Sequence, residues 1–310
     1  LSSNRDEVIL KSGTGLDNAL LDFGDDLIVA STDPITGASK NLGSLAINVS
    51  VNDVSCQCAD PVGVLLTVLI PPSATINDLK EIIEDANETC KKLKLDIVGG
   101  HTEITDAVNK IIISTTVLGR VSRDKRPDVK KVEKGDIVAV SKYIGIEGTS
   151  IISNEKDEIN KILDEEEVSF ANSLSEEISV LKESKIASKY NVKHMHDITE
   201  GGLFGALWET TIAINHGIKV DYCDIPILEI TEKISRFYNI DPCRLISSGS
   251  MLMIFNKDDF KRFKEEAETK NIKVTSIGEI TADKKCIVIK DKDEIVLNEP
   301  DSDELYKVIS

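Results

Sequence analysis

The chain has 310 residues, of which 41% are hydrophobic and 29% charged, and its formal net charge is −17. This length allows two domains with separate cores, and the acidic balance argues against a general affinity for nucleic acid, whose phosphates are bound by clustered Lys and Arg. No apolar run approaches the ~20 residues that cross a membrane, and no signal-peptide pattern opens the sequence. We therefore expect a cytoplasmic protein with neither nucleic acid nor a membrane as partner.

The first 24 residues are polar and include the glycine-containing segment Lys11-Ser12-Gly13-Thr14-Gly15. This composition predicts a flexible loop that could fold over phosphates, although the G-x-x-x-x-G-K-[ST] pattern of a P-loop is absent. The first clear strand runs from Leu27 to Ser31 and is followed by Thr32-Asp33-Pro34. Asp33 is therefore expected at the C-terminal end of a strand.

An amphipathic helix is predicted from about residue 41 to 56, because Leu42, Leu45, Ala46 and Val49 recur at three- and four-residue steps. Asp53 lies four residues after Val49, on the semi-buried face of that helix. A buried carboxylate needs a partner, since an unpaired charge in the interior costs several kcal/mol. Asp53 either caps a neighbouring loop or binds a cation, alone or together with phosphate.

A strand over residues 64–70 and a helix that starts near Thr75 precede the segment Val98-Gly99-Gly100-His101-Thr102-Glu103. Paired glycines allow the backbone to turn sharply or to approach a ligand closely. The alternative is an ordinary tight turn with solvated side chains. A hydroxyl, an imidazole and a carboxylate follow the glycines at once, so this segment is a candidate for catalysis.

A basic linker over residues 123–131 separates the two halves, and it predicts domains at 1–125 and 126–310. The second half begins with a strand at 136–141 and continues with charged helices at 154–190. Further on, His194, His196, Asp197 and Thr199 precede Gly201-Gly202 and an apolar helix. Polar residues at a helix N-terminus can hold an anion, whereas the two histidines either bind a metal or are exposed or capping residues.

Several short motifs occur in an order that resembles the AIR synthase-related ATP-binding superfamily, which includes aminoimidazole ribonucleotide synthetase, selenophosphate synthetase, thiamine-monophosphate kinase and HypE. The sequence is most similar to the HypE-like members, and the resemblance spans nearly the whole chain. The motifs are Gly15-Leu16-Asp17-Asn18-Ala19, Ser31-Thr32-Asp33-Pro34, Val51-Asn52-Asp53-Val54 with Ala59-Asp60-Pro61, Gly99-Gly100-His101-Thr102-Glu103, His196-Asp197-Ile198-Thr199-Glu200-Gly201-Gly202 and Ser247-Ser248-Gly249-Ser250.

The resemblance implies a two-domain α+β fold, in which the N-terminal domain pairs with that of a second subunit to form a β-barrel and the C-terminal α+β domain packs against it. It further implies ATP as the nucleotide, with Mg²⁺ held by Asp17, Asp33 and Asp53. The catalytic candidates are His101, Glu103 and Asp197. The implied nucleotide contacts are Lys11, Gly13, Gly15, Asp17, Asn18, Asp33, Asn52, Asp53, Gly99, Gly100, Thr102, Thr199, Gly201 and Gly202.

This sequence departs from the family pattern at Asn18 and His101, where acids are usual, and its last cysteine is Cys286. Unless the chain continues further, chemistry on a terminal cysteine of its own is impossible. We expect an ATP-dependent enzyme that activates an amide- or carboxamide-type oxygen by phosphoryl transfer, on a small molecule or a protein tail of unknown identity. The alternatives are a small-molecule kinase of the thiamine-monophosphate kinase type, or a nucleotide-binding partner protein with reduced catalysis.

Overall fold

The computed structural model of the protein describes residues 7–10, 14, 18–35 and 41–309. The chain divides into two compact units, Leu1–Arg126 and Pro127–Ser310. In the described part of the chain, every helix is too short or too polar to cross a membrane. Lys11, Gly13, Gly15 and Asp17, which the sequence analysis assigned to the nucleotide site, lie outside the described residues.

Among its described residues, the first unit contains a six-stranded sheet and two helices. Its elements are β1 (Val8–Leu10), β2 (Ala19–Asp22), β3 (Asp26–Ile35), α1 (Leu42–Ser55), β4 (Asp60–Ile70), α2 (Ile76–Leu93), β5 (Asp96–Ile104) and β6 (Ile112–Ser122). The strand order is β1-β2-β3-β6-β4-β5. Among the described strand pairs of this unit, only β4 and β5 are parallel, and α2 provides the crossover between them.

One face of this sheet packs against α1, and alternation along the strands decides which side chains meet the helix. Val64 and Val68 of β4 and Val117 of β6 are buried on that inner face. Leu65 of β4 and Leu118 of β6 point to the opposite, outer face and are exposed. The sheet therefore keeps an apolar outer face.

The helix α2 begins as the sequence predicts. Thr75 Oγ1 accepts from the backbone N–H of Asp78, and Asp78 Oδ2 accepts from the backbone N–H of Thr75 at 2.6 Å. This reciprocal pair satisfies two N–H groups that the first helical turn leaves without partners. The predicted helix start at Thr75 is confirmed.

Three local predictions for the first unit are wrong. The strand predicted to end at Ser31 continues to Ile35, because β3 pairs with β6 along its whole length. Part of the expected loop over residues 1–24 forms β1 and β2. The paired glycines at 99 and 100 make no turn, since β5 runs through them to Ile104 beside β4.

Gly100 is required by the close approach of the neighbouring strand β4. Its φ is +147°, and a Cβ at this position would lie 1.9 Å from the backbone oxygen of Leu66. The pairing of β4 with β5 shifts register between Val64 and Leu65, next to this close approach. The glycine therefore lets the two backbones come together at a bulge.

The second unit contains a seven-stranded sheet among its described residues, in the order β13-β12-β9-β11-β7-β10-β8. Its strands are β7 (Ile137–Ser141), β8 (His194–Asp197), β9 (Gly217–Asp221), β10 (Met251–Phe255), β11 (Val274–Thr281), β12 (Cys286–Lys290) and β13 (Asp293–Val296). Its helices are α3 (Ile146–Glu155), α4 (Glu165–Ser173), α5 (Leu181–Ala187), α6 (Gly202–Ile214), α7 (Glu229–Tyr238), α8 (Lys257–Thr269) and α9 (Tyr306–Ile309).

The core of the second unit lies between this sheet and the apolar helix α6. Val138 of β7, Leu252 of β10 and Leu207 of α6 belong to one buried cluster. Every residue of β10 is buried, as expected for a strand with neighbours on both edges. The sequence patterns did not predict α7 or β13.

Candidate functional site

Two carboxylates of the first unit meet between β3 and α1. Ser31 and Asp33 lie on the same side of β3 because they are two residues apart, and Asp53 faces them from α1. Ser31 Oγ donates a hydrogen bond to Asp53 Oδ2 at 2.5 Å and lies 3.5 Å from Asp33 Oδ2. A single serine hydroxyl thus lies between two carboxylates that were predicted to act in one site.

A second hydroxyl group approaches Asp33 from the helix. Ser50 precedes Asp53 by one turn of α1, and its Oγ lies 3.5 Å from Asp33 Oδ2. Ser50 Oγ also hydrogen-bonds the hydroxyl of Thr115 on β6, while Thr115 Oγ1 donates to the backbone oxygen of Ala46 at 3.1 Å. This polar layer fixes α1 against the middle of the sheet.

Asn18, the residue before β2, also contacts Asp53 and completes the cluster. Its Nδ2 donates to the backbone oxygen of Asp53 at 2.9 Å, and the whole residue is only 1% exposed. An aspartate at this position could not donate that bond at neutral pH. The side-chain oxygen of Asn18 is buried and has no hydrogen-bond partner among the described residues, so it remains able to accept one more interaction.

The donors in this cluster fit Mg²⁺, because carboxylate and amide oxygens are the hard ligands that this ion takes. Asp53 is buried, whereas Asp33 is partly exposed and can be reached from solvent. Among the described residues, no group of three His, Cys, Asp or Glu side chains is arranged to hold a metal alone. Mg²⁺ is commonly bound through one or two carboxylates, with phosphate oxygens and waters completing its shell. The proposed ligand trio with Asp17 stays a prediction, since Asp17 lies outside the described residues.

His101 and Glu103 do not join this cluster within the first unit. Their partners in β4 are Thr67 and Leu69, which belong to the outer face. Their side chains are 70% and 54% exposed, with His101 Nε2 3.9 Å from Glu103 Oε2. Three strand spacings separate β3 from β5, or about 14 Å at ~4.8 Å each. A role for either residue beside Asp33 remains a prediction.

Three motifs of the second half converge at one end of the other sheet. Strands β7 and β8 flank β10 and are both antiparallel to it, so their C-terminal ends meet its N-terminal end. Here the backbone N–H of Gly145 donates to Ser247 Oγ at 2.7 Å, and the backbone N–H of Ile198 donates to the backbone oxygen of Ser250 at 3.0 Å. The turn at Gly145, the residues that follow Asp197 and the loop over residues 247–250 thus lie together.

At the predicted anion site, the backbone N–H of Gly201 has a partner within the chain. The backbone N–H of Gly201 donates to Asp303 Oδ2 at 2.7 Å, and Asp303 Oδ1 accepts from Ile246 and Leu305 at 3.2 and 2.8 Å. A carboxylate of the chain itself therefore uses this N–H group at the start of α6. A nucleotide or substrate oxygen could bind there only if Asp303 moved away.

At this end of the second sheet, burial is the main cause of the pKa shifts of Glu147 and Asp303. It raises the pKa of the Glu147 carboxyl, and the neighbouring carboxylates of Asp303 and Glu200 raise the pKa further. Burial also raises the pKa of Asp303, although three backbone N–H groups act in the opposite direction. Asp197, the catalytic candidate, is itself 1% exposed at the end of β8.

The two histidines of β8 are buried rather than exposed. His196 Nε2 lies 2.8 Å from Glu209 Oε2 of α6, and His194 Nε2 lies 3.5 Å from Thr210 Oγ1. These contacts join the edge strand to the helix that covers it. The histidines belong to no metal-binding group among the described residues.

Sequence reasoning missed several residues of both sites. Ser31 and Ser50 had a detectable signal, because Ser31 shares a strand face with Asp33 and Ser50 shares a helix face with Asp53. Asp303 had none, since no pattern in the sequence relates it to Gly201, which is 102 residues away.

The fold and the cluster define a two-unit α+β protein, as predicted, with a carboxylate site suited to a hydrated divalent cation. Family models agree with this architecture, since residues 15–121 match the N-terminal domain of AIR synthase related protein and residues 133–291 match its C-terminal domain. The chain belongs to the AIR synthase related family.

Relatives within this family carry different names. A protein of Methanocaldococcus jannaschii named for hydrogenase expression/formation is 30% identical, over 92% of this chain and 88% of its own length. The carbamoyl dehydratase HypE of Escherichia coli is 25% identical over 73% of this chain and 66% of its own. Thiamine-monophosphate kinase of Bacillus subtilis is 22% identical over 82% of this chain and 78% of its own.

Solved structures show the same fold at low identity. An E. coli HypE structure aligns with a TM-score of 0.81 at 20% identity, over 98% of this chain and 96% of that one. A HypE–HypF complex gives 0.79 at 23% identity, over 93% and 94%. HypE in complex with ATP gives 0.76 at 19% identity, over 94% and 90%.

Proposed function

We propose that this protein is an ATP- and Mg²⁺-dependent enzyme that transfers a phosphoryl group to an amide- or carboxamide-type oxygen, after which phosphate is lost. The observation that carries the proposal is the pair Asp33 and Asp53, bridged by Ser31 in the first unit. Family membership supports it, as do relatives named carbamoyl dehydratase and a HypE structure with ATP. The substrate, a small molecule or a protein tail, is unknown.

In this proposal Asp33 and Asp53 hold the cation, with Asp17 as a further ligand. Bound Mg²⁺ supplies charge neutralisation at the phosphates, which together with positioning accounts for most catalysis in phosphoryl transfer. Asn18 fixes α1 at Asp53 through its bond to the Asp53 backbone oxygen. The remaining proposed nucleotide contacts are Lys11, Gly13, Gly15, Asn52, Gly99, Gly100, Thr102, Thr199, Gly201 and Gly202.

His101, Glu103 and Asp197 remain the proposed catalytic residues, for proton transfer or for orienting the substrate. Because His101 and Glu103 lie on the outer face of the sheet in β5, they can serve a site only where another surface meets that face. We propose that a second copy of the chain provides this surface, with the N-terminal domain, residues 1–125, pairing in a homodimer. Residues 126–310 would form the C-terminal domain, and the protein would act in the cytoplasm.

Isothermal titration calorimetry with a non-hydrolysable ATP analogue tests the nucleotide and metal site. Asp33→Asn and Asp53→Asn are each expected to weaken Mg²⁺-dependent binding at least tenfold, because each variant loses a charged ligand. Asp26→Asn is the matched control, since Asp26 is an exposed residue at the start of the same strand. A wild-type protein that binds no analogue in the presence of Mg²⁺ would overturn the proposal.

A small-molecule kinase is the second candidate, favoured by the match to thiamine-monophosphate kinase over 82% of the chain. The two reactions differ in where the phosphate goes. With the correct substrate, ADP together with free phosphate supports the first proposal, whereas ADP with phosphate retained on the product supports the kinase. Tight ATP binding without ADP formation from any candidate substrate supports a nucleotide-binding partner protein instead.

A further inference from the structure

The hydroxyl protons of the carboxylate cluster can be assigned from its geometry. Thr115 Oγ1 donates to the backbone oxygen of Ala46, so in its hydrogen bond with Ser50 the proton must come from Ser50. Each hydroxyl has one proton to donate. Ser50 therefore cannot also donate to Asp33, although its oxygen lies 3.5 Å from Asp33 Oδ2.

The same reasoning applies to Ser31. Its oxygen is 2.5 Å from Asp53 Oδ2 and 3.5 Å from Asp33 Oδ2. The shorter distance is typical of a hydroxyl that donates to an ionised carboxylate, whereas 3.5 Å is at the limit for any hydrogen bond. The proton of Ser31 goes to Asp53, and Asp33 receives a proton from neither serine.

The two carboxylates also differ in how deeply they are buried. Asp53 is 4% exposed and is held by Ser31 on one side and, through its backbone oxygen, by Asn18 on the other. Asp33 is partly exposed. The two acids are therefore unequal: one is fixed inside the protein and the other presents its charge at the surface of the cluster.

We infer that Ser31 is a positioning residue of the metal site: it fixes the carboxylate of Asp53 in one orientation and leaves Asp33 as the carboxylate that first meets the cation. This inference rests on the proposed function. It predicts that the two acids contribute differently and that Ser31 acts only through Asp53. Groups that orient a metal ligand commonly change metal affinity about tenfold or more when removed.

Titration with Mn²⁺, followed by electron paramagnetic resonance in the presence of the non-hydrolysable ATP analogue, measures the metal affinity without turnover. Ser31→Ala is expected to weaken Mn²⁺ binding roughly tenfold, whereas Ser31→Thr keeps the hydroxyl and should restore most of the affinity. The matched control is Ser55→Ala, since Ser55 is a buried serine of α1 whose hydroxyl donates to the backbone oxygen of Val51 at 2.7 Å. Asp33→Asn should weaken binding more than Asp53→Asn does.

A double-mutant cycle separates positioning from a general structural effect. If Ser31 acts through Asp53, Ser31→Ala should cause no further loss of Mn²⁺ affinity when Asp53→Asn is already present. Additive losses would overturn the inference, as would an unchanged affinity in Ser31→Ala while Asp33→Asn abolishes binding. That second result would leave the proposed function standing, whereas a wild-type protein that binds no Mn²⁺ overturns both. Should Ser31→Ala melt at a much lower temperature, Ser31→Cys keeps the side-chain size with only a weak donor and takes its place.

Discussion

Glu147 carries a carboxyl group that is almost completely enclosed in the second unit, where its Oε2 accepts a hydrogen bond from the backbone N–H of Ser248 at 3.1 Å. Burial raises the pKa of this carboxyl, hydrogen bonds with Ser248 act in the opposite direction, and the nearby acids Asp303 and Glu200 raise it further. Ionising this group inside the protein is therefore unfavourable. Glu147 should reduce the free energy of unfolding at neutral pH.

The sign of the pH dependence follows from linkage. Below the ordinary value of 4.5, the carboxyl is protonated in both the folded and the unfolded chain, and it causes no penalty. As the pH rises above this value, the unfolded chain loses the proton first, so stability falls until the pH exceeds the raised pKa of the folded state. Asp303, whose pKa is also raised, acts in the same direction.

Glu147→Gln is expected to increase the melting temperature, and the gain should grow as the pH rises above 4.5, the ordinary pKa of the carboxyl. Glutamine keeps an oxygen that can accept from Ser248 but removes the charge. Differential scanning calorimetry across this pH range measures the difference between variant and wild type. Glu155→Gln, at an exposed position of the same helix, is the control and should show no such trend. If the gain in melting temperature does not change with pH, ionisation of Glu147 is not its cause.

At the level of elements, the pairing of β4 with β5 depends on Gly100. Gly100→Ala would place a Cβ 1.9 Å from the Leu66 backbone oxygen, and backbone cannot move aside as a flexible side chain can. Gly24→Ala is a close control, because Gly24 also has a positive φ, +120°, but has nothing within 4 Å of its Cβ position. The control isolates backbone strain, of about 1–2 kcal/mol, from the clash.

We expect Gly100→Ala to lower the free energy of unfolding of the first unit by at least about 2 kcal/mol more than Gly24→Ala does. Urea denaturation followed by circular dichroism measures both variants. Hydrogen exchange should also show faster exchange at the backbone amides of β5 in Gly100→Ala. Equal losses in the two variants would mean that the bulge tolerates a methyl group.

The same glycine shows where sequence reasoning succeeds and fails. Strong local patterns, such as the apolar run at residues 64–70 and the capping pair at the start of α2, predicted their elements correctly. The pair Gly99-Gly100 indicated a turn because each glycine was judged from its neighbours in sequence. Its real partner is Leu66, more than thirty residues earlier, in a parallel pairing that leaves no local signature.

Local sequence patterns also predict part of the candidate site and miss the rest. Asp33 and Asp53 were predicted to act together, and the structure places both beside Ser31. Periodicity in β3 and α1 could have added Ser31 and Ser50, since both lie on the faces that carry the acids. No periodic pattern could have shown that Asp303 would use the N–H of Gly201, because that contact depends on the path of the chain through the whole second unit.

For the whole molecule, the surface that bears on assembly is the outer face of the first sheet. Val62, Leu65, Val98 and Leu118 are all exposed large hydrophobic residues of β4, β5 and β6, with Val98 at 59%. Adjacent exposed apolar residues on a sheet are typical of surfaces that bind another protein. Among the described strands, β5 also lies at an edge of the sheet, and the backbone of an edge strand can pair with another chain. Both features support the homodimer proposed through this face.

Charge opposes such a dimer. Each chain carries a formal net charge of −17, so two copies repel each other at long range, and salt screens that repulsion. Apolar burial is much less sensitive to moderate salt than this repulsion is. The dimer should therefore become tighter as ionic strength increases, which is the reverse of an interface held by surface ion pairs.

Analytical ultracentrifugation of the wild type and two lysine variants tests this. Val98→Lys is expected to shift the protein to monomer, because it places a charge in the centre of the proposed interface. Ile76→Lys is the matched control: Ile76 is 65% exposed but lies at the start of α2, away from the outer face, and its variant should associate like the wild type. If the wild type is a monomer at all concentrations, or if both variants dissociate equally, the outer face is not the interface. His101 and Glu103 would then have no second surface beside them, and their proposed role in catalysis would fail with the dimer.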